Sequence, residues 1–165
     1  MRSFPTCCGL AGLILASSAA GQTKPADAAQ IVDALNTCQA ITSPRWIELD
    51  DLSSYGWEGA KRRSGRSSMV VRGVYEKAGN NTYIIVGKDE LKEKSCVVSA
   101  RLNATSDYMP IAQGVSQIIG MPSRAEGFTY YWTIGDKQIR LDPAGDRTAP
   151  TARFAVTAIA QESTQ

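Results

Sequence analysis

A single cysteine in an apolar stretch is the residue of this chain that most readily suggests chemistry. Cys96 lies in KEKSCVVSARL, residues 92–102, a segment whose composition is typical of a β-strand. Its thiol could act as a nucleophile, bind a metal ion or form a disulfide. The choice among these three roles depends on which other residues of the chain could assist the sulfur atom.

No histidine occurs anywhere in the chain. This removes the Ser–His and Cys–His pairs that activate nucleophiles, and it removes the commonest metal ligand. A glycine-rich phosphate loop is also missing, because GRSSMVVRG and GVYEKAG lack the lysine and the spacing of such loops. We therefore expect no metal ion and no cofactor, and the composition disfavours an enzyme.

Carboxylates are the remaining candidates for catalysis. They form two clusters, ELDD and KDELKEK, which contain the acids Glu48, Asp50, Asp51, Asp89, Glu90 and Glu93. A glycosidase needs two carboxyl groups that face each other across a cleft, whereas neighbouring acids on one surface are typical of a solvated face. A carboxylate-dependent hydrolase acting on cell-wall or glycan material is thus the alternative function, and it requires acids from separate elements to converge.

The segment GWEGAKRRSGRSS, residues 56–68, is the best candidate for recognition. It reads as a loop between a helix and the sheet, and its candidate binding residues are Trp57, Lys61, Arg62, Arg63 and Arg66. Arginine side chains on a loop can hold carboxylate or phosphate groups in a forked geometry. The alternative interpretation is a loop whose charges only keep the protein soluble.

Aromatic residues are concentrated in GFTYYWTIG, residues 127–135. Alternation places Phe128, Tyr130 and Trp132 on one strand face together with Ile134, which indicates a core-facing row. Tyr131 lies on the opposite face. It is therefore the aromatic residue of this strand that we expect to be exposed and available for binding.

The first residues, MRSFPTCCGLAGLILASSAAG, are typical of a secretory signal peptide. One charge, Arg2, precedes an apolar run, and small residues at 17–21 offer a cleavage site. We predict that residues 1–21 are removed, that the protein is periplasmic or secreted, and that no membrane span remains, since the apolar run is about half the length a bilayer needs. Without Arg2 the chain holds 17 basic and 16 acidic side chains, and this net charge of +1 gives no general attraction to nucleic acid.

Beyond the leader we expect one domain with alternating groups of helices and strands. Its predicted parts are a flexible lead-in at 22–26, the domain at 27–160 and a frayed tail at 161–165. Spacing predicts helices at 27–41, 43–57 and 106–120, and strands at 67–77, 82–89, 95–103, 128–134, 137–143 and 151–159. The order αα-βββ-α-βββ favours the α+β class, with an antiparallel sheet of about six strands and the helices on one face.

The two cysteines that remain after processing lie on inward faces. Cys38 shares a helical face with Ile31 and Leu35, and Cys96 alternates with the apolar Val98 along its strand. Two inward cysteines in an exported chain most simply form one disulfide. We therefore predict a Cys38–Cys96 disulfide, which leaves no free thiol for catalysis.

The layout of the chain resembles that of small exported proteins of Gram-negative bacteria to which no activity is assigned. The shared features are the leader, the NTCQAI helix, the GW that ends the second helix and the second cysteine in a strand. The resemblance implies a periplasmic location and brings no catalytic residue with it. Together with the composition, it predicts a non-enzymatic binding domain of the cell envelope whose partner is a protein or an anionic ligand.

Overall fold

A computed structural model describes residues 24–64 and 67–159 of the chain. The predicted signal peptide and the predicted tail lie outside the described residues. Of the predicted flexible lead-in, the described end is packed: Ala26 is buried in the core, and the carbonyl of Pro25 accepts a hydrogen bond from the side chain of Asn81 at 3.3 Å.

Helices and strands alternate along the described chain in an α+β arrangement. The helices are α1 (Ala28–Ile41), a 3-10 helix (Leu49–Tyr55), α2 (Lys88–Glu93), a second 3-10 helix (Thr105–Asp107) and α3 (Tyr108–Ile119). The strands are β1 (Trp57–Ser64), β2 (Ser67–Lys77), β3 (Thr82–Ile85), β4 (Ser95–Arg101), β5 (Arg124–Glu126), β6 (Thr129–Ile134), β7 (Lys137–Gly145) and β8 (Pro150–Ala158). The predicted α+β class is confirmed.

All eight strands form one antiparallel sheet in the order β1-β2-β3-β4-β8-β7-β6-β5. The sheet consists of two four-stranded meanders that meet where β4 pairs with β8. The prediction of about six strands is therefore wrong by two, since β1 and β5 were read as loops. Both are polar strands that have no continuous apolar face, so only backbone pairing with a neighbour defines them.

The core lies between the sheet and the helices α1 and α3. Alternate residues of the central strands are buried there, and the largest are Trp132, Phe154, Leu141, Ile139 and Ile84. The two helices contact each other, and α1 also contacts β3, β4 and β8. This packing explains why the period-two pattern predicted the central strands well, because each of them has one face in the core.

Two of the predicted helical features are corrected by the structure. The helix expected at 43–57 is reduced to the 3-10 helix, because Thr42 and Ile47 form an antiparallel bridge and the Ser43 amide donates to the Trp46 carbonyl at 3.0 Å, which closes a turn where the helix would begin. The acidic cluster KDELKEK, for which no helix was predicted, largely forms the short helix α2. Glu90 of α2 pairs with Arg153 at 3.5 Å, and Arg153 alternates with the buried residues of β8, so α2 lies on the sheet face opposite the core. The prediction that the helices lie on one sheet face therefore holds for α1 and α3 and is wrong for α2.

Tyr108 at the start of α3 connects this helix to the second meander. Its hydroxyl donates to the carbonyl of Phe128 at 2.5 Å and lies 3.3 Å from that of Leu141, so the buried ring is held to β7 and to the residue that precedes β6. Burial, reinforced by the carboxylate of Asp142, raises the pKa of Tyr108 above its ordinary value. The hydroxyl therefore keeps its proton, and with it the hydrogen bond, well above neutral pH.

The predicted Cys38–Cys96 disulfide is present and fully buried. It joins α1 to β4 with a Cα–Cα distance of 5.4 Å and spans 58 positions of the chain. Closing a loop of that length removes conformational entropy from the unfolded chain, which corresponds to about 4 kcal/mol of stability. The bond connects the helix layer directly to one of the two central strands of the sheet.

Replacing both cysteines by alanine should lower the free energy of unfolding by about 2–5 kcal/mol, because the loop is no longer closed in the unfolded state. Urea unfolding of Cys38→Ala/Cys96→Ala, followed by circular dichroism, measures this loss. The unmodified protein in strong reductant is the matched control and should lose a similar amount. A loss below about 1 kcal/mol in both would contradict the expected contribution.

Candidate functional site

The basic segment predicted to be a loop is a two-stranded ribbon in the structure. Residues 61–64 of β1 pair with residues 67–70 of β2, whereas β2 pairs with β3 only at Val74 and Tyr75. The ribbon therefore projects beyond the rest of the sheet. We call these two paired segments, residues 61–64 and 67–70, the basic ribbon. The prediction of an unpaired loop is wrong for these residues, because β1 and β2 pair with each other through the backbone.

An irregularity in β2 separates the basic ribbon from the sheet. Between the pairs Gly59–Tyr75 and Lys61–Val70, one residue of β1 lies opposite four residues of β2. Gly73 within this bulge has a φ of 73°, and a Cβ there would lie 2.8 Å from the Cα of Gly87. The bulge thus depends on glycine, both for its backbone conformation and for its close approach to the end of β3.

The described side chains of the basic ribbon combine cations with exposed apolar groups. Lys61 and Arg62 are exposed, and their cross-strand neighbours Val70 and Met69 are 64% and 62% exposed. Opposed residues share a face of the ribbon, so each face carries one cation next to one apolar side chain. Arg66 and the side chain of Arg63, which the sequence analysis also selected, lie outside the described residues.

Three arginines of the sheet are ion-paired whereas the cations of the basic ribbon are not, a property the ribbon shares with Arg72 of β2 and Arg101 of β4 among the described residues. On the sheet face opposite α1, the guanidinium groups of Arg124, Arg140 and Arg153 each lie within 3.5 Å of a carboxylate. Within the part of the chain that the structure describes, no acid forms such a pair with Lys61 or Arg62. Contact with an acid occurs at the backbone, where the Lys61 amide donates to the Glu76 carboxylate at 3.3 Å, so the two side-chain charges of the ribbon remain without an ion-pair partner among the described residues.

Trp57 does not belong to the binding surface that the sequence suggested. Its side chain is only 1% exposed, so it cannot contact a ligand at the surface, and this part of the prediction is corrected. The indole N–H donates to the Thr37 hydroxyl at 3.1 Å, and the Lys77 ammonium lies 5.9 Å from the ring centroid. Trp57 instead anchors the start of β1 to α1, which fixes where the basic ribbon begins.

Tyr131 lies on β6, in the other half of the sheet from the basic ribbon. It is on the face opposite the core, as alternation predicted, but it is only partly exposed because the Arg124 guanidinium lies 4.0 Å from its ring centroid. The structure therefore does not bring Tyr131 together with the basic residues.

An uncharged groove lies beside α3 and was not predicted. It has a volume of about 380 Å³, and its apolar lining comes mainly from Met109, Met121, Pro122 and Tyr130. Phe128, which the alternation placed in the core, is 67% exposed and immediately precedes β6, the strand that contains Tyr130. The periodic pattern gave no signal for this groove, because residues 121 and 122 follow the end of α3 and belong to no strand.

A second concave surface contains two carboxylates that the sequence analysis did not select. Glu58 on β1 and Glu76 on β2 are directly opposed and line a pocket of about 360 Å³ together with Tyr83. Burial, and secondarily the carboxylate of Glu76, raises the pKa of Tyr83. The acids that the sequence did select lie elsewhere, on or next to the first 3-10 helix and in α2. Only strand register identifies the Glu58–Glu76 pair.

Comparison with protein-family models, curated proteins and solved structures found no match to this chain. Across residues 24–64 and 67–159, no helix is long and apolar enough to cross a membrane. The same residues contain no group of three or more acidic or cysteine side chains arranged to hold a metal ion.

Trp57→Phe should lower the free energy of unfolding by about 1–3 kcal/mol, because it removes the hydrogen bond to Thr37 and leaves a cavity beside α1. The matched control is Trp46→Phe, since Trp46 is 52% exposed. Its cost should stay within about 0.5 kcal/mol. Chemical unfolding of the two variants provides the comparison, and equal losses would argue against an anchoring role for Trp57.

Proposed function

We propose that this protein is an exported binding domain of the cell envelope that holds an anionic partner through its basic ribbon. The buried disulfide supports export, because such bonds form and persist in oxidising compartments. The signal-like composition of residues 1–21 and the layout shared with small exported bacterial proteins point the same way. A stable eight-stranded sheet then provides the rigid support from which the ribbon projects.

One observation is the main support for this function. Lys61 and Arg62 are exposed on a projecting ribbon without an acid in ion-pair contact among the described residues, whereas three arginines on the sheet face are each neutralised. Cations held close together without counter-charges attract anions from solution. An anionic group can therefore bind to the ribbon without first displacing an internal carboxylate.

The apolar side chains of the ribbon favour a protein partner. Met69 and Val70 expose more than half of their surface beside the two cations. Methionine and arginine are enriched in protein interfaces, and methionine adapts its shape to an apolar contact. A purely anionic polymer would use the charges and leave these two side chains in water.

Neutralising the charges of the ribbon should weaken the binding of an acidic polypeptide. We expect Arg62→Gln/Arg63→Gln/Arg66→Gln to weaken the binding of poly-glutamate at least about tenfold and to reduce its salt dependence, because exposed charges are the ones that salt screens. Calorimetric titration at low and at physiological salt measures both effects.

The control for this experiment removes the same number of charges from the sheet face. Arg124→Gln/Arg140→Gln/Arg153→Gln acts on arginines that are already paired, so its effect on the affinity should stay below about threefold. Equal losses in the two variants, or no binding of poly-glutamate by the unmodified protein, would contradict the proposed contact.

A second candidate function is a carboxylate-dependent hydrolase acting on cell-wall or glycan material. The observation that favours it is that Glu58 and Glu76, from two strands, line the same pocket beside Tyr83. Hydrolysis of a glycosidic bond requires two carboxyl groups at one site, one of them acting as an acid. Glu58 and Glu76 lie side by side on the neighbouring strands β1 and β2, so the substrate would have to lie across both carboxyl groups.

If this second function applies, Glu58→Gln and Glu76→Gln should each reduce the hydrolysis of peptidoglycan or chromogenic glycosides by about 100-fold or more. Asp89→Asn, which changes an exposed acid of α2, is the control and should keep full activity. Turnover that is unchanged in both glutamine variants, or absent from the unmodified protein, would reject the hydrolase.

A further inference from the structure

We infer that β1 accepts an acidic, extended segment of a partner protein as an additional strand of the sheet. This inference rests on the proposed function, because it names the class of partner and the way in which the basic ribbon holds it. It is carried by three features of the described residues: the edge position of β1, its length and its charge.

β1 is an edge strand, because within residues 24–64 and 67–159 no strand lies beside its outer side. It is the first strand in the sheet order and pairs only with β2. An unpaired strand edge presents a row of backbone N–H and C=O groups, which an extended peptide can pair with by main-chain hydrogen bonds. The edge is therefore a template for a strand supplied by another chain, which at Lys61 would have to displace the Glu76 carboxylate that accepts from this amide at 3.3 Å.

Length distinguishes the two edges of the sheet. β1 has 8 residues, whereas β5 at the opposite edge has only 3. Short edge strands are one of the ways in which proteins avoid unwanted pairing, and β5 follows that rule while β1 does not. At about 3.3 Å per residue, β1 offers a pairing length of about 26 Å.

The charges of β1 select the strand that can pair with it. Two copies of β1 side by side would bring their cations together, and like charges that face each other across strands are destabilising. The same cations favour a strand that carries acids. The positive edge therefore opposes self-association through β1 while it admits an acidic partner.

Register defines where the acids of the partner should be. Lys61 and Arg62 are consecutive, so they point to opposite faces of the ribbon. A strand added beside β1 therefore meets one cation on each face. Two adjacent acids in the partner, and not two acids separated by one residue, can each lie next to a cation at the same time.

The test uses the protein without its leader, residues 22–165, and a capped eight-residue peptide. The peptide has two central glutamates flanked on each side by alternating threonine and valine. A first control peptide has the same side chains and charge but carries N-methyl groups on its backbone, which block strand pairing. A second control replaces the two glutamates by lysines.

We expect the glutamate peptide to bind at least about tenfold more tightly than either control. Amide exchange at residues 58–62 should slow by about tenfold or more in the complex, because outward-facing N–H groups become hydrogen-bonded. The charge-swapped variant Lys61→Glu/Arg62→Glu should reverse the preference and bind the lysine peptide. Since both side chains are exposed, this variant is expected to fold normally, and circular dichroism checks that it does.

Failure of this inference can be distinguished from failure of the proposed function. Equal binding of the N-methylated peptide would mean that charge alone holds the partner, which overturns strand addition and leaves the proposed function standing. Binding of poly-glutamate without binding of the glutamate peptide would have the same meaning. Binding to phosphatidylglycerol vesicles but to neither polypeptide would assign the ribbon to a membrane surface and overturn both proposals.

Discussion

The disulfide between α1 and β4 is the constraint on which the rest of the structure depends. Cys38 and Cys96 are both fully buried, and their bond joins the helix layer to the middle of the sheet. Because β4 pairs with β3 on one side and with β8 on the other, fixing α1 on β4 also fixes its position relative to both meanders. Trp57 extends this arrangement, since its hydrogen bond to Thr37 ties the start of β1 to the same helix.

The meeting of the two meanders at β4 and β8 determines which parts of the chain reach the surface. Each half consists of a helix followed by four strands, and the last strand of each half lies at the centre of the sheet. The first strand of each half is consequently an edge. The core is assembled mainly from the later strands, while β1 contributes Trp57 and Ala60 near its start and leaves its later residues exposed, so that it can hold lysine and arginine there. The binding surface that we propose is thus a consequence of the topology.

The parts of the fold that were predicted correctly are those in which one residue face is buried. β2 occupies the predicted range 67–77, and Cys96 was placed inward because its strand alternates between apolar and polar residues. Prediction failed where no such alternation exists. β1 and β5 have no continuous apolar face, and the 43–57 helix signal was overridden by the backbone-paired turn between Thr42 and Ile47. Of the candidate binding residues, Lys61 and Arg62 are exposed, whereas Trp57 is buried, because the sequence pattern did not show that it packs on α1.

The sequence by itself determined the class of the fold, the disulfide and the segment that holds the concentrated positive charge, because periodicity and composition are local properties. The tertiary structure alone decided which segments form the edges of the sheet and which residues meet across strands. The opposition of Glu58 and Glu76 and the covering of Tyr131 by Arg124 depend on strand register, and the projection of the basic ribbon depends on the bulge at Gly73. Register arises from pairing between residues distant in sequence, so no local pattern contains it.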